Sequence, residues 1–103
     1  MITIYTKNDC PYCVQAKKQL ESMGFKYEEI NIDDDTELSI GARNFLIEQG
    51  HKNAPQMYYR NLLLVDGGAS GLAKMTAEDV TFKMGVIDAE VDDVLDVPED
   101  LKF

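Results

Sequence analysis

Residues 2–32 hold a strand, a helix and a second strand in immediate succession, and few folds accept that order in so short a span. Ile2-Thr3-Ile4-Tyr5-Thr6 is β-branched and aromatic and reads as a strand. Lys7-Asn8-Asp9-Cys10 is a short loop, and Pro11 suits the first turn of a helix, where a missing backbone N–H is no loss. Val14, Ala16, Lys17, Leu20 and Met23 then place one apolar face on that helix, and Gly24 is a natural stop. Lys26 to Ile32 reads as the second strand. Two strands joined through one helix argue for a parallel pair with a right-handed crossover.

The rest of the chain extends this unit. Asp33-Asp34-Asp35-Thr36 reads as a solvated turn and a helix N-terminus, where negative charge is favoured, and the run has too few ligands for a metal site. The helix is expected over 36–49, ending at Gly50. His51 to Pro55 is a loop, with His51 expected to be a solvated loop residue and not a catalytic one. Gln56 to Arg60 and Leu62 to Asp66 read as strands around a turn at Arg60-Asn61, with one of Tyr58 and Tyr59 in the core and the other at the surface. Gly67-Gly68 breaks the second of these strands, and Ala69 to Met75 suits a short helix. The order β-α-β-α-β-β-α is the thioredoxin-like α/β arrangement: a small mixed four-stranded sheet flanked by helices.

The chain has 103 residues, which suits one modest core, and residues 1–75 account for all the elements above. Residues 76–103 form an acidic extension in which Val80, Phe82, Met84, Val86, Ile87, Val91, Val94, Leu95 and Val97 alternate with acids. That segment is too apolar to be simply disordered, and a docked helix, a strand and a partner-binding tail all remain open. Residues 1–75 carry 8 Lys/Arg against 10 Asp/Glu, a net of −2, whereas residues 76–103 carry 2 against 9, a net of −7. The overall −9 argues against nonspecific nucleic-acid binding and against docking on anionic lipid. The longest apolar run, Leu62 to Val65, is too short to span a bilayer, and the N-terminus has no basic start or cleavage site. A cytoplasmic, monomeric protein is the expectation. The five methionines are expected to fill the core.

Only two cysteines are present, Cys10 and Cys13. A bridge between them closes almost no loop, so it is poorly placed as a staple and well placed for chemistry. Cys10 falls at a helix N-terminus, where unpaired N–H groups and the helix dipole favour a thiolate. Lys7 adds positive charge nearby and Asp9 opposes it. Cys13 lies one helical turn on, within reach of the Cys10 sulfur, so Cys10 is expected to be the nucleophile and Cys13 the resolving thiol. A zinc site needs four ligands, and with His51 as the single histidine no intramolecular Cys/His set of four exists.

Ile4 to Cys13, with its Cys-Pro-Tyr-Cys tetrapeptide, resembles the first strand and active-site loop of the dithiol glutaredoxins. Asn53-Ala54-Pro55-Gln56 resembles that family's Thr-Val-Pro segment, whose proline is cis and lies opposite the cysteines. Gly67-Gly68 before a small helix is a third landmark. The resemblance covers roughly residues 1–75. It implies a glutathione site in which Lys7 binds the glycine carboxylate and Pro11 and Tyr12 flank the tripeptide. The Ala54 backbone, before Pro55, would pair with its cysteinyl part. Gly68, Ala69 and Ser70 would receive the γ-glutamyl carboxylate, and Arg43 is a further candidate for the glycine carboxylate. Gly71 departs from the family, which often has an acidic residue there. Asn53-Ala54 replaces Thr-Val, and the hairpin from Pro55 to Gly67 is about two residues longer than the family pattern.

The implied function is glutathione-dependent reduction of protein disulfides and glutathione mixed disulfides. Glutathione would be a co-substrate, with no tightly bound cofactor or metal, and ribonucleotide reductase a recipient of the electrons. Two alternatives keep the fold: a donor recharged by thioredoxin reductase, and a dimer holding an iron–sulfur cluster through Cys10 and glutathione.

Overall fold

The computed structural model describes residues 1–100, with side chains described to Val91. Eight elements follow in order: β1 (Ile2–Thr6), α1 (Pro11–Ser22), β2 (Tyr27–Asn31), α2 (Glu37–Glu48), β3 (Gln56–Tyr59), β4 (Leu62–Leu63), α3 (Gly68–Ala73) and α4 (Ala77–Asp100). The strands form one sheet in the order β2-β1-β3-β4. β1 runs parallel to β2, pairing Ile4 with Glu29, and antiparallel to β3, pairing Ile4 with Met57. This is the thioredoxin-like mixed sheet expected from the sequence.

β1 is central, so alternate residues feed two cores. Ile2 and Ile4 point with Met57 into a cluster completed by Leu20 of α1 and Leu72 of α3. Tyr5 points the other way and joins Ile30, Tyr58, and Ala42 and Leu46 of α2. Tyr58 makes edge-on ring contacts to Tyr5 and Phe45 at centroid distances of 5.7 and 5.2 Å. Tyr59 is not the surface residue expected: it packs against the first core and donates a hydrogen bond to Asp88. Among the methionines only Met57 is fully buried, while Met1 is exposed and Met23, Met75 and Met84 lie at the core margin.

The β3–β4 hairpin turns at Arg60 and Asn61, both with positive φ (53° and 66°), which suits a two-residue turn matched to the strand twist. β4 is shorter than the 62–66 expected: beyond Leu63 the Leu64 N–H still bonds the Met57 carbonyl at 3.0 Å, and Leu64 and Val65 are buried in the first core. α2 starts at Thr36, whose hydroxyl accepts the Ser39 N–H at 3.1 Å.

The segment after residue 75 is a helix. Thr76 Oγ1 accepts the Asp79 N–H and Asp79 accepts the Thr76 N–H, a reciprocal capping box. Val80 and Ile87 are buried in the first core, and Met84 and Val91 pack against it. Residues 80, 84, 87 and 91 thus form one helical stripe. Val94, Leu95 and Val97 lie outside the described side chains. No helix among the described residues is long and apolar enough to cross a membrane.

Candidate active site

Cys10 is the N-cap of α1, with extended backbone (φ −121°, ψ 92°), and Pro11 opens the helix. The Cys10 Sγ accepts the Cys13 N–H at 3.1 Å, a first-turn helix donor that the Cys10 carbonyl oxygen shares at 3.1 Å. Cys10 and Cys13 form a disulfide, with Cα atoms 5.2 Å apart. Both sulfurs sit in largely buried residues. Cys10 is 9% exposed and borders both the main cavity and a neighbouring groove with Thr6, Lys17 and Glu29, whereas Cys13 is 2% exposed and borders that groove.

Side chains missed by the sequence reading hold the loop before Cys10. Asp33 accepts the Asn8 N–H at 2.9 Å, and Asn31 donates its amide to Asn8 Oδ1 at 2.9 Å. Asp33 is therefore a tether between β2 and the redox loop, and not only part of a solvated turn. Asp9 adopts φ 52°, a left-handed conformation that Asp tolerates better than most residues.

Across the cavity, the Ala54–Pro55 peptide bond is cis, and the Ala54 carbonyl oxygen lies 3.8 Å from Cys10 Sγ. Gln56 stiffens this loop by donating to the Asn53 carbonyl at 2.8 Å. His51 corrects a sequence expectation. It is half-buried, and its Nε2 sits 2.6 Å from the Tyr58 hydroxyl, with the two rings edge-on. Burial pushes the Tyr58 hydroxyl pKa above its usual 10.0, and Tyr5 adds to the effect. The imidazole thus anchors the start of the cis-proline loop to β3.

The third wall is the start of α3. Gly67 caps it with φ 93°, and Gly68 follows with φ 61°. A Cβ on Gly68 would lie 3.0 Å from the Pro55 carbonyl oxygen, so glycine permits α3 to approach the cis-proline loop. A Cβ on Gly71 would fall 1.8 Å from the Asp66 carbonyl oxygen, so the backbone leaves no room for a side chain at this position.

These walls enclose a cavity of about 800 Å³. Lys7, Cys10, Pro11 and Tyr12 border it on one side, with Ala54 and Pro55 opposite. Gly68, Ala69 and Ser70 close its end. Tyr12 is 62% exposed at the rim. Arg43 is not among the lining residues: its Nε and Nη2 donate to the Ile32 carbonyl at 3.0 and 2.6 Å, and it borders a neighbouring groove.

Comparison with known proteins agrees with this geometry. The family model described as Glutaredoxin matches residues 2–63. The glutaredoxin-like protein NrdH of Salmonella typhimurium is 41% identical over 54 residues, which span 52% of this chain and 62% of that relative. NrdH of Lactococcus lactis is 33% identical over 75 residues, covering 73% of this chain and 99% of the relative. Among solved structures, the NrdH-redoxin of Escherichia coli, described there as having a thioredoxin-like activity profile, superposes with TM-score 0.56 and 31% identity. That match covers 72% of this chain and 92% of the other.

Proposed function

This chain belongs to the glutaredoxin family of thiol–disulfide oxidoreductases, and on that premise we propose that it reduces protein disulfides through a Cys10–Cys13 relay recharged by glutathione. The observation that carries this reading is the cavity bordered by Cys10 and walled by Lys7, the Ala54–Pro55 loop and the first turn of α3. In the reduced protein, the Cys13 N–H and the α1 dipole favour the Cys10 thiolate. That thiolate attacks one sulfur of a substrate disulfide and expels the other as a thiolate. Cys13 then loses its proton and attacks Cys10 Sγ. The substrate leaves with two electrons gained, and the Cys10–Cys13 disulfide remains.

Glutathione returns the electrons. One glutathione thiolate attacks Cys10 Sγ, and a second attacks the resulting mixed disulfide to release oxidised glutathione. Lys7 is proposed to pair with the glycine carboxylate, with Pro11 and Tyr12 along the tripeptide and the Ala54 backbone against its cysteinyl part. The N–H groups of Gly68, Ala69 and Ser70 face the γ-glutamyl carboxylate. Ribonucleotide reductase is the recipient proposed from the family resemblance, and the protein is proposed to act as a cytoplasmic monomer.

A second reading keeps the relay and replaces glutathione by thioredoxin reductase. It is favoured by the NrdH relatives and by the thioredoxin-like activity profile of the E. coli structure. Turnover coupled to NADPH oxidation separates the two. Activity with glutathione and glutathione reductase supports the first; activity only with thioredoxin reductase replaces it by the second. Cys10→Ser is expected to abolish all turnover. Cys13→Ser is expected to lose protein-disulfide reduction and to retain turnover of glutathione mixed disulfides; equal loss in both variants would overturn the assigned roles.

A further inference from the structure

A second groove, of about 420 Å³, adjoins the active-site cavity and shares its wall from Gly50 to Ala54. Its apolar surface comes from Ile32, Leu46 and Ile47, and Ile47 is 63% exposed on α2. Its charged lining residues are Lys7, Arg43 and Lys52, with no carboxylate among them. This is an unusual composition for a chain of net charge −9. The lysine on α1 that faces β2, Lys17, is neutralised by Glu29 at 3.2 Å. Among the described residues neither Lys7 nor Lys52 has an ion-pair or hydrogen-bond partner for its ammonium group. Arg43 spends Nε and one Nη2 hydrogen on the Ile32 carbonyl, and its remaining guanidinium hydrogens are uncommitted.

We propose that this groove holds an acidic, extended peptide segment of the protein substrate, next to the disulfide presented to Cys10, with an apolar side chain seated against Ile47. The proposal rests on the disulfide-reductase reading and adds the class of substrate. Three arguments carry it. The groove is continuous with the cavity through Ala54, so a chain whose sulfur reaches Cys10 is led into it. Uncompensated cations beside exposed isoleucine match carboxylates beside a leucine or valine, and match a basic segment poorly. The chain as a whole carries a net charge of −9, so its long-range field opposes an acidic partner on average, and a face whose only charges are three cations is where such a partner is held.

The test uses three peptide disulfides with the same residues next to the cysteine and an acidic, neutral or basic flank, each containing one leucine. Pre-reduced protein is mixed with each peptide in a single turnover, which needs neither glutathione nor a reductase. Affinity is measured in parallel with the same peptides carrying serine for cysteine. The acidic peptide is expected to react and bind about tenfold better than the basic one, as a few exposed ion pairs together would give. Lys52→Glu should reverse the order, and about 1 M salt, where the Debye length is about 3 Å, should erase it. Equal affinities of the serine peptides for the unmodified protein would overturn the groove assignment. A retained acidic preference in binding with no reduction of any peptide would overturn the reductase reading and leave the groove standing.

Discussion

Gly71 has no room for a methyl group, because the carbonyl of Asp66 occupies the place a Cβ would take. Gly71→Ala must therefore displace α3 from the turn at Asp66, and a loss of about 1–3 kcal/mol is expected in urea unfolding. His51 and Tyr58 make a second residue-scale prediction. His51→Phe leaves the Tyr58 hydroxyl without its 2.6 Å partner in a residue that is 2% exposed, at an expected cost of about 1–3 kcal/mol. Tyr58→Phe on that background removes the orphaned group and should recover part of the loss. The redox pair was legible in the sequence because cap position, proline and three-residue spacing are local facts. His51 was not, because its partner is set by how the loop returns against β3. The Gly71 requirement was equally hidden, since it depends on a carbonyl five residues upstream that only the folded turn brings close.

Among the elements, α4 tells most about what pattern reading can and cannot do. Its stripe at 80, 84, 87 and 91 and its Thr76–Asp79 box were both present in the sequence, but the interleaved acids and exposed Phe82 and Val86 blurred the periodicity. Because Val80 and Ile87 complete the first core, Ile87→Ala is expected to cost about 2–5 kcal/mol. A chain ending at residue 75 should show a broadened or absent thermal transition and bind a hydrophobic dye. α4 also clamps the hairpin: Asp88 accepts from the Tyr59 hydroxyl and from Arg60 Nη1, each at 2.9 Å. Arg60 first, then Tyr59, holds the Asp88 carboxyl below its ordinary 3.8. A carboxyl depressed in the folded state contributes stability above pH 3.8 and loses it as pH falls through the folded value. Asp88→Asn should therefore melt lower at neutral pH and lose less on acidification between about pH 5 and pH 2 than the unmodified protein.

At the scale of the whole molecule, the parallel pair and the later antiparallel hairpin were legible in the order of elements, whereas the one core expected is two, because Ile2, Ile4 and Met57 face one side of the sheet and Tyr5 and Tyr58 the other. The charge separation did not follow, because Lys7, Arg43 and Lys52 are far apart in sequence and meet only where α2 crosses the sheet beside the redox loop. The cap on α1 reaches furthest beyond its own neighbourhood. A sulfur that carries charge accepts the Cys13 N–H more strongly than one tied in a disulfide. The same hydrogen bond thus enters two equilibria, folding and electron uptake, closed into one thermodynamic cycle. Any change that weakens it lowers the melting point of the reduced form relative to the oxidised form. It also drives the midpoint potential more negative, by about 30 mV for each 1.4 kcal/mol. The first turn of α1 is therefore where heat tolerance and reducing power are traded against each other.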